Sequence, residues 1–444
     1  MSQTVNTVQE ILNTRKLDQW EIFFQKTSSF HVQTKQGETD FLEKSELSGI
    51  AVRLIKNQRL GFSFTSNLDY ASLKQTVAMA ESVANVTSED PDHGFPGPVE
   101  LNVDESFLFC PEIGEISELE KISIARTIEE RAFAYDKRIK AIRSSGYSDF
   151  IFEGQIKNSL GLNVCGKAGL STIWIELMAQ SGNEQEMSYW TDQARNPKTL
   201  DPVKLAQIAA ERAIGRLSGI SIPSTKCPAV IENSVVSSLL HILSNSFLAE
   251  SHFKKTASPR VVLGSKLFSP VINIFDSGLE IDGAKAFPFD GEGIPSQRTQ
   301  VAINGEIESF LADTFYSKKL KTQVTANSCR SNFDSAPFNG VTNLFVTPGE
   351  LTLSDLIKDV GSGVMITEVM GLHTANPISG DFSVGATGFK ICGGRIDHPV
   401  KGIAIAGNII DLFGSVRHVG NDFQFFGAFG TPSIIVENLS ISGT

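Results

Sequence analysis

His241 lies in the run Leu239-Leu240-His241-Ile242-Leu243-Ser244-Asn245-Ser246-Phe247-Leu248, on the polar side of an amphipathic helix. A zinc-hydrolase helix needs a glutamate beside its first histidine and a second histidine about one turn further on. The two rings hold the ion and the carboxylate takes the proton from water. Here Ile242 stands in the glutamate's place, and Asn245 and Ser246 stand where the second histidine belongs. His252 does not supply it. At ~1.5 Å rise per residue it falls ~16 Å along a continuous helix, too far to share an ion whose Zn–N bonds are ~2.0–2.1 Å. Without partners, His241 reads first as a hydrogen-bonded helix histidine.

Other groupings are weaker. Asp290-Gly291-Glu292-Gly293-Ile294-Pro295 sets two carboxylates two residues apart in a glycine-rich loop. An acid/base pair or a calcium site would use them, but the regular oxygen ligands and closing glutamate of a calcium loop are absent. No histidine is near in sequence, so a tight turn with solvated acids is the preferred reading. Gly380-Asp381-Phe382-Ser383-Val384-Gly385-Ala386-Thr387-Gly388 lacks the Lys-Ser/Thr ending of a phosphate loop and reads as a β-hairpin with glycines at bends. His373 and His398 have no spaced partners, and no nucleophile elbow is present. The five cysteines (Cys110, Cys165, Cys227, Cys329, Cys392) are odd in number and contain no CxxC pair, which speaks against a disulfide scaffold or a thiolate zinc knuckle.

The elements around His241 are clearer than its chemistry. Val236, Leu239, Leu240, Leu243 and Phe247 form one apolar stripe, and Ser234, Ser237, Ser238, His241 and Asn245 form a nearly uncharged opposite face. That polar face suits packing against another surface. The helix is expected over about 234–249. Further helices are expected over Val5 to Leu17, Leu68 to Ala84, Ile116 to Tyr135 and from Asp201-Pro202 to about Leu217. Strands are expected at 20–24, 49–55, 59–64, 139–145, 149–156 and 170–179, with Gly146-Tyr147-Ser148-Asp149 as a turn. Beyond a linker at 218–224 the texture becomes rich in short strands and glycine. Asn304-Gly305 and Gly393-Gly394 signal two-residue hairpins. The expected fold is therefore α+β: an N-terminal α/β-mixed domain over 1–220, then a mostly β, glycine-rich C-terminal domain over 221–444.

Composition bounds the function. A formal net charge of -11 disfavours a broad nucleic-acid surface. The N-terminus has no apolar core of signal-peptide length, and no run approaches the ~18–20 apolar residues of a membrane span. A cytoplasmic protein without membrane contact is the expectation. The 30 phenylalanines read as core filling.

Several segments together resemble the TldD/PmbA family, in its PmbA (TldE) branch, over nearly the whole chain. They are the helix around Leu239-Leu240-His241, the Asp290–Pro295 loop, Val364-Met365-Ile366-Thr367-Glu368-Val369-Met370-Gly371 and Ser379-Gly380-Asp381-Phe382-Ser383. Gly385-Ala386-Thr387-Gly388-Phe389, Ile403-Ala404-Ile405-Ala406-Gly407-Asn408 and Val419-Gly420-Asn421-Asp422 complete the set. The resemblance implies a two-subunit metalloprotease. Its TldD-type subunit carries a His-Glu-x-x-x-His helix, and a C-terminal cysteine completes the zinc site. His241 matches the first histidine, Ile242 replaces the glutamate and Ser246 the second histidine. The segment from Phe423 to Pro432 contains no cysteine, and Cys392 lies too early to be the equivalent.

The expectation is thus a non-catalytic partner with no catalytic, cofactor or metal residues of its own, beside a zinc-bearing TldD-type subunit. The pair would act on peptides or unfolded protein in peptide maturation and proteolysis, and the isolated chain would form a homodimer. Two alternatives stand beside it. One is a metal-dependent peptidase active as a single chain, using groups such as Asp290 and Glu292. The other is a regulator of a nucleic-acid enzyme such as gyrase.

Overall fold

The protein is seen in a computed structural model that describes residues 2–101 and 107–443. One antiparallel sheet organises the first half. Its strands are β1 (Gln19–Lys35), β2 (Glu38–Lys56), β3 (Arg59–Thr65), β4 (Ile139–Asn158), β5 (Asn163–Ser181) and β6 (Glu184–Ala194), in the order β3-β2-β1-β4-β5-β6. Alternation along β1 sorts its side chains. Trp20, Ile22, Phe24, Phe30 and Val32 face a layer of helices. That layer contains α1 (Ser2–Asn13), α2 (Tyr70–Ala84), the short α3 (Glu112–Glu115), α4 (Glu118–Tyr135) and α5 (Pro202–Arg216). A capping box of Ser117 and Glu120 starts α4, and Asp201 caps α5 with Pro202 in its first turn. Phe23, on the other face of β1, packs with Ile156 and Val164 against Phe289 and Phe333 from the second half.

The second half begins with β7 (Thr225–Ile231), α6 (Asn233–Ser244) and α7 (Ala249–Phe253). Next come β8 (Ile274–Ser277), β9 (Arg298–Ile303), β10 (Glu306–Ile307), α8 (Thr314–Leu320), β11 (Ser328–Cys329), β12 (Phe338–Asn339) and β13 (Leu344–Val346). It continues through α9 (Leu353–Val360), β14 (Gly363–Met370), β15 (Asp381–Cys392), β16 (Arg395–Asn408), α10 (Ile409–Gly414) and β17 (Val416–Val419). It ends with β18 (Gln424–Phe426), β19 (Phe429–Thr431) and β20 (Ile434–Ser442). One sheet runs β10-β9-β8-β13-β19-β18. Another runs β16-β15-β14-β7-β20-β17, and β16 also pairs with β20, so that five strands close into a ring. The apolar stripe of α6 fills the core that both sheets share.

The α+β architecture is as expected, and three local expectations are corrected. Residues 146–149 form no turn, because β4 runs unbroken through them. Gly146 is there to admit a ring: a Cβ would lie 2.1 Å from the Trp174 indole. β1 and β2 reach far beyond 20–24 and 49–55 as a long ribbon whose outer part, in β2, is mostly exposed and carries no apolar alternation. The helix expected over 234–249 ends at Ser244 and continues as a 3-10 turn, Asn245–Phe247, before α7.

Both glycine-signalled hairpins form. Asn304 and Gly305 have φ of 49° and 78°, and Gly393 and Gly394 have 56° and 72°, the left-handed pairs that fit strand twist. Gly305 is doubly constrained, because a Cβ there would lie 2.1 Å from the Phe268 carbonyl oxygen. Gly37 shares its φ sign but has open space around it. Gly305→Ala is expected to cost about 2–3 kcal/mol and Gly37→Ala about 1 kcal/mol, read from urea midpoints. Equal losses would refute the close-approach account.

Candidate functional site

Val236, Leu239, Leu240, Leu243 and Phe247 are all buried. His241 sits on the other side of α6. Its ring packs on Phe429 of β19, with centroids 4.6 Å apart and planes at 31°. No hydrogen bond to the ring occurs among the described residues; its contact there is this tilted ring pair, and the residue is exposed. Burial lowers its pKa, and the Lys285 charge acts in the same direction. Ile242 packs half-buried against the core. Ser246 is 1% exposed, and its hydroxyl accepts the Ser258 amide N–H at 3.0 Å. His252 is engaged elsewhere: Nε2 lies 2.8 Å from the Ser246 carbonyl, and the ring stacks on Phe310 at 3.7 Å. Because the chain bends after Ser244, that engagement, rather than distance along one straight helix, occupies His252.

The segment from Phe423 to Pro432 lies against α6. The Thr431 hydroxyl donates to the Asn233 carbonyl at 2.8 Å, and the Asn233 amide donates to the Asp422 carbonyl at 2.8 Å. Asp422 accepts the Ser433 N–H and hydroxyl at 2.9 and 2.6 Å. The fold therefore brings His241 and the C-terminal hairpin together, with the Phe429 ring between them. Cys392 is exposed at the tip of the β15–β16 hairpin. Among the described residues, no three His, Cys, Asp or Glu side chains converge so as to hold a metal ion. Ile242, Ser246 and Phe429 offer the histidine no second strong donor, and this set does not fit zinc. Beside α6 is a pocket of about 290 Å³, lined by Ser234, Ser237, Ser238, Arg216, Glu368 and Phe426.

Asp290 and Glu292 are 6% and 4% exposed, which overturns the solvated-acid expectation. Glu292 accepts from Arg53 Nη1 and Nη2 at 3.3 Å and from the Thr314 amide at 3.0 Å. Arg53 forks onto Glu21 at 2.8 and 2.6 Å, and Arg330 also pairs with Glu21. Asp290 accepts the amides of Glu292, Ile294 and Ser328 at 2.9, 3.0 and 3.1 Å. Burial, reinforced by the Glu292 charge, outweighs those amides and pushes its pKa up to about 8. Asp313 is pushed up to about 7 by burial and the same charge.

Models of the PmbA/TldA metallopeptidases match residues 20–84 as domain 1, 111–217 as the central domain and 224–443 as the C-terminal domain. The chain belongs to the TldD/PmbA metallopeptidase family. Metalloprotease PmbA of Escherichia coli O157:H7 is 26% identical over 100% of this chain and 96% of its own. A TldD homolog of Haemophilus influenzae is 20% identical with the same coverage. A Thermotoga maritima structure described as a modulator of a DNA gyrase superposes with a TM-score of 0.91 at 26% identity, covering 99% of this chain and 100% of that one. TldE of Thermococcus kodakarensis gives 0.91 at 21% identity over 100% of both chains. Within TldD/PmbA, the likeness places the chain in the PmbA branch.

Sequence reasoning missed Phe429 as the neighbour of His241, and Glu21, Arg53 and Arg330 as partners of the Asp290 loop. Alternation along β1 could have put Glu21 with Phe23 and Gln25 on one face. Two expectations test the site. Ile242→Glu combined with Ser246→His places a carboxylate at a half-buried position and a second imidazole at a buried one. It should lose about 2–4 kcal/mol and take up no stoichiometric zinc in metal analysis; a stable variant with one zinc per chain would refute this geometry.

For Asp290 the folded pKa lies above the unfolded 3.8, so the folded chain holds a proton that the unfolded chain has lost. Stability then falls as pH rises from about 4 to about 8 and levels off above it. Between pH 6 and 8 the wild type should lose about 1–2 kcal/mol more than Asp290→Asn, measured by denaturant titration. Parallel pH profiles would count against a protonated Asp290.

Proposed function

We propose that this PmbA-branch chain is the non-catalytic partner subunit of a heteromeric TldD/PmbA zinc metallopeptidase acting in peptide maturation and proteolysis. One observation carries the reading. The α6 helix and the C-terminal hairpin meet at His241, and the residues beside it that the resemblance points to, Ile242, Ser246 and Phe429, include no second histidine, cysteine or carboxylate. Hydrolysis by zinc needs an ion held open to water and a base beside it, and these side chains supply neither. A TldD-type subunit brings both. This chain completes the substrate groove and stabilises its partner, and alone it forms a homodimer through the same surface. The two units of this arrangement are residues 1–220 and 221–444. β18 ends its sheet next to the pocket beside α6, and a free strand edge there suits an extended peptide held by main-chain hydrogen bonds. The pair works in the cytoplasm. No helix among the described residues is long and apolar enough to cross a membrane.

Purification alone and after co-expression with a TldD-type subunit tests this, with metal analysis and a peptidase assay on each preparation. Cleavage and zinc are expected only when the TldD-type subunit is present, with both chains eluting as one complex. Peptide cleavage and stoichiometric zinc in the single chain would overturn the reading, as would two chains that never co-elute.

A further inference from the structure

The face of β1 that carries Phe23 and Gln25 opens onto a cavity of about 650 Å³, between the first sheet and the loops around 284–296 and 328–342. That volume is in the range of a small-molecule site. Phe150, Phe152, Phe287 and Phe338 are among its walls. Phe152 and Phe287 already meet edge to face, with centroids 5.1 Å apart and planes at 76°. Phe338 is 44% exposed, which leaves its ring open to a further partner. Aromatic rings favour such edge-on and offset neighbours at 4.5–7 Å over aliphatic ones of the same area.

The charges on the wall narrow the ligand further. Arg330 is balanced by Glu21. Arg195 and Lys285 have no carboxylate within ion-pair distance among the described residues, and Asp282 acts on Arg195 only from further off. Arg195 is nevertheless committed: its Nε, Nη1 and Nη2 donate to the carbonyls of Ile281, Gly169 and Gly283 at 3.0, 2.8 and 2.7 Å. Lys285 is exposed and spends only one of the three N–H groups of an ammonium, on the Val341 carbonyl at 3.0 Å. The Cys329 thiol reaches that same carbonyl at 3.5 Å, and both Lys285 and Cys329 line the cavity. The ammonium therefore lies at its wall. Two acids of this region are turned away from it. Asp276 accepts from Asn327 and Thr342, and Asp290 from three amides.

We propose that this cavity binds a small aromatic carboxylic acid as its anion. The carboxylate pairs with Lys285, and the ring lies among Phe150, Phe152, Phe287 and Phe338. One available ammonium answers one negative charge. The hydroxyl-bearing part of the wall, Thr27, Ser29 and Ser45, is uncharged and gives a polyanion no second ionic partner. Every group named is in this chain, so the proposal stands without the partner-subunit reading.

Calorimetric titration of the full chain tests it with three probes: 3-phenylpropionate, 3-phenylpropionamide and hexanoate. Phenylpropionate is expected to bind one to one. The amide, which carries no charge, should bind at least about tenfold more weakly. Hexanoate keeps the charge without the ring and should bind about three- to tenfold more weakly. Lys285→Gln should weaken phenylpropionate about five- to tenfold, with Lys285→Arg recovering most of the loss. Phe338→Ala should weaken it about three- to tenfold. Both positions are exposed, so thermal midpoints should stay at the wild-type value. No binding, equal binding of acid and amide, or wild-type affinity in either Lys285→Gln or Phe338→Ala would overturn the proposal. Hexanoate binding as tightly as phenylpropionate would overturn the aromatic assignment.

Discussion

The two halves of this protein are held in register by a buried ion cluster. Arg53 of β2 reaches Glu21 of β1 and Glu292 of the second half, and Arg330 returns to Glu21. Burial alone would push Glu21 up. Arg53 and Arg330 outweigh it and hold the carboxyl below its usual range. Burial pulls Arg330 down to about 10 even with Glu21 beside it. Each close pair is worth about 4 kcal/mol at an effective dielectric near 20, and desolvating each ion costs several kcal/mol. The cluster therefore adds little net stability while imposing a strict geometry. An apolar contact such as Phe23 on Phe289 tolerates sliding. A guanidinium shared between two carboxylates does not.

That constraint shapes everything on the Phe23 face of the first sheet. The loop carrying Asp290 and Glu292 must reach the sheet at one height, and its backbone must approach closely: a Cβ on Gly291 would lie 3.0 Å from the Ser328 carbonyl, and one on Gly293 2.7 Å from Leu162. The glycines let the loop lie flat, and its amides then turn inward onto Asp290. Phe287 and Phe289 flank the loop and form one wall of the cavity while β1 and β4 form the other. The cavity is what remains between two surfaces joined by the ion cluster and by the apolar contacts of Phe23, Ile156 and Val164 with Phe289 and Phe333.

Local rules were legible in the sequence; long-range ones were not. The Asn304-Gly305 and Gly393-Gly394 hairpins, the Asp201-Pro202 start and the stripe of α6 each follow from a few adjacent residues. Gly146 misled, because a glycine that makes room for Trp174 looks in sequence like one that makes a turn. The outer part of β2 was invisible for the opposite reason: both of its faces are polar or exposed, so burial leaves no period. Asp290 and Glu292 looked solvated because their counter-ion, Arg53, is 239 residues away and carries no local mark. The family resemblance supplied what periodicity could not, namely that His241 and the C-terminal segment belong to one place.

The helix itself explains how this place is held together. Stability and chemistry lie on opposite sides of α6. The side bearing Leu239, Leu240 and Leu243 fixes the helix in a core shared by two sheets, and nothing on it depends on a metal. The other side is joined to the C-terminal hairpin by neutral hydrogen bonds from Asn233 and Thr431. Each is worth about 1 kcal/mol, enough to keep the hairpin seated. A stacked His241–Phe429 pair adds a contact of similar size. Ser246 turns its hydroxyl to the Ser258 amide. A metal ion beside His241 would find no second strong donor on Ile242, Ser246 or Phe429. The fold has tied these groups to one another, while His241 itself stays exposed.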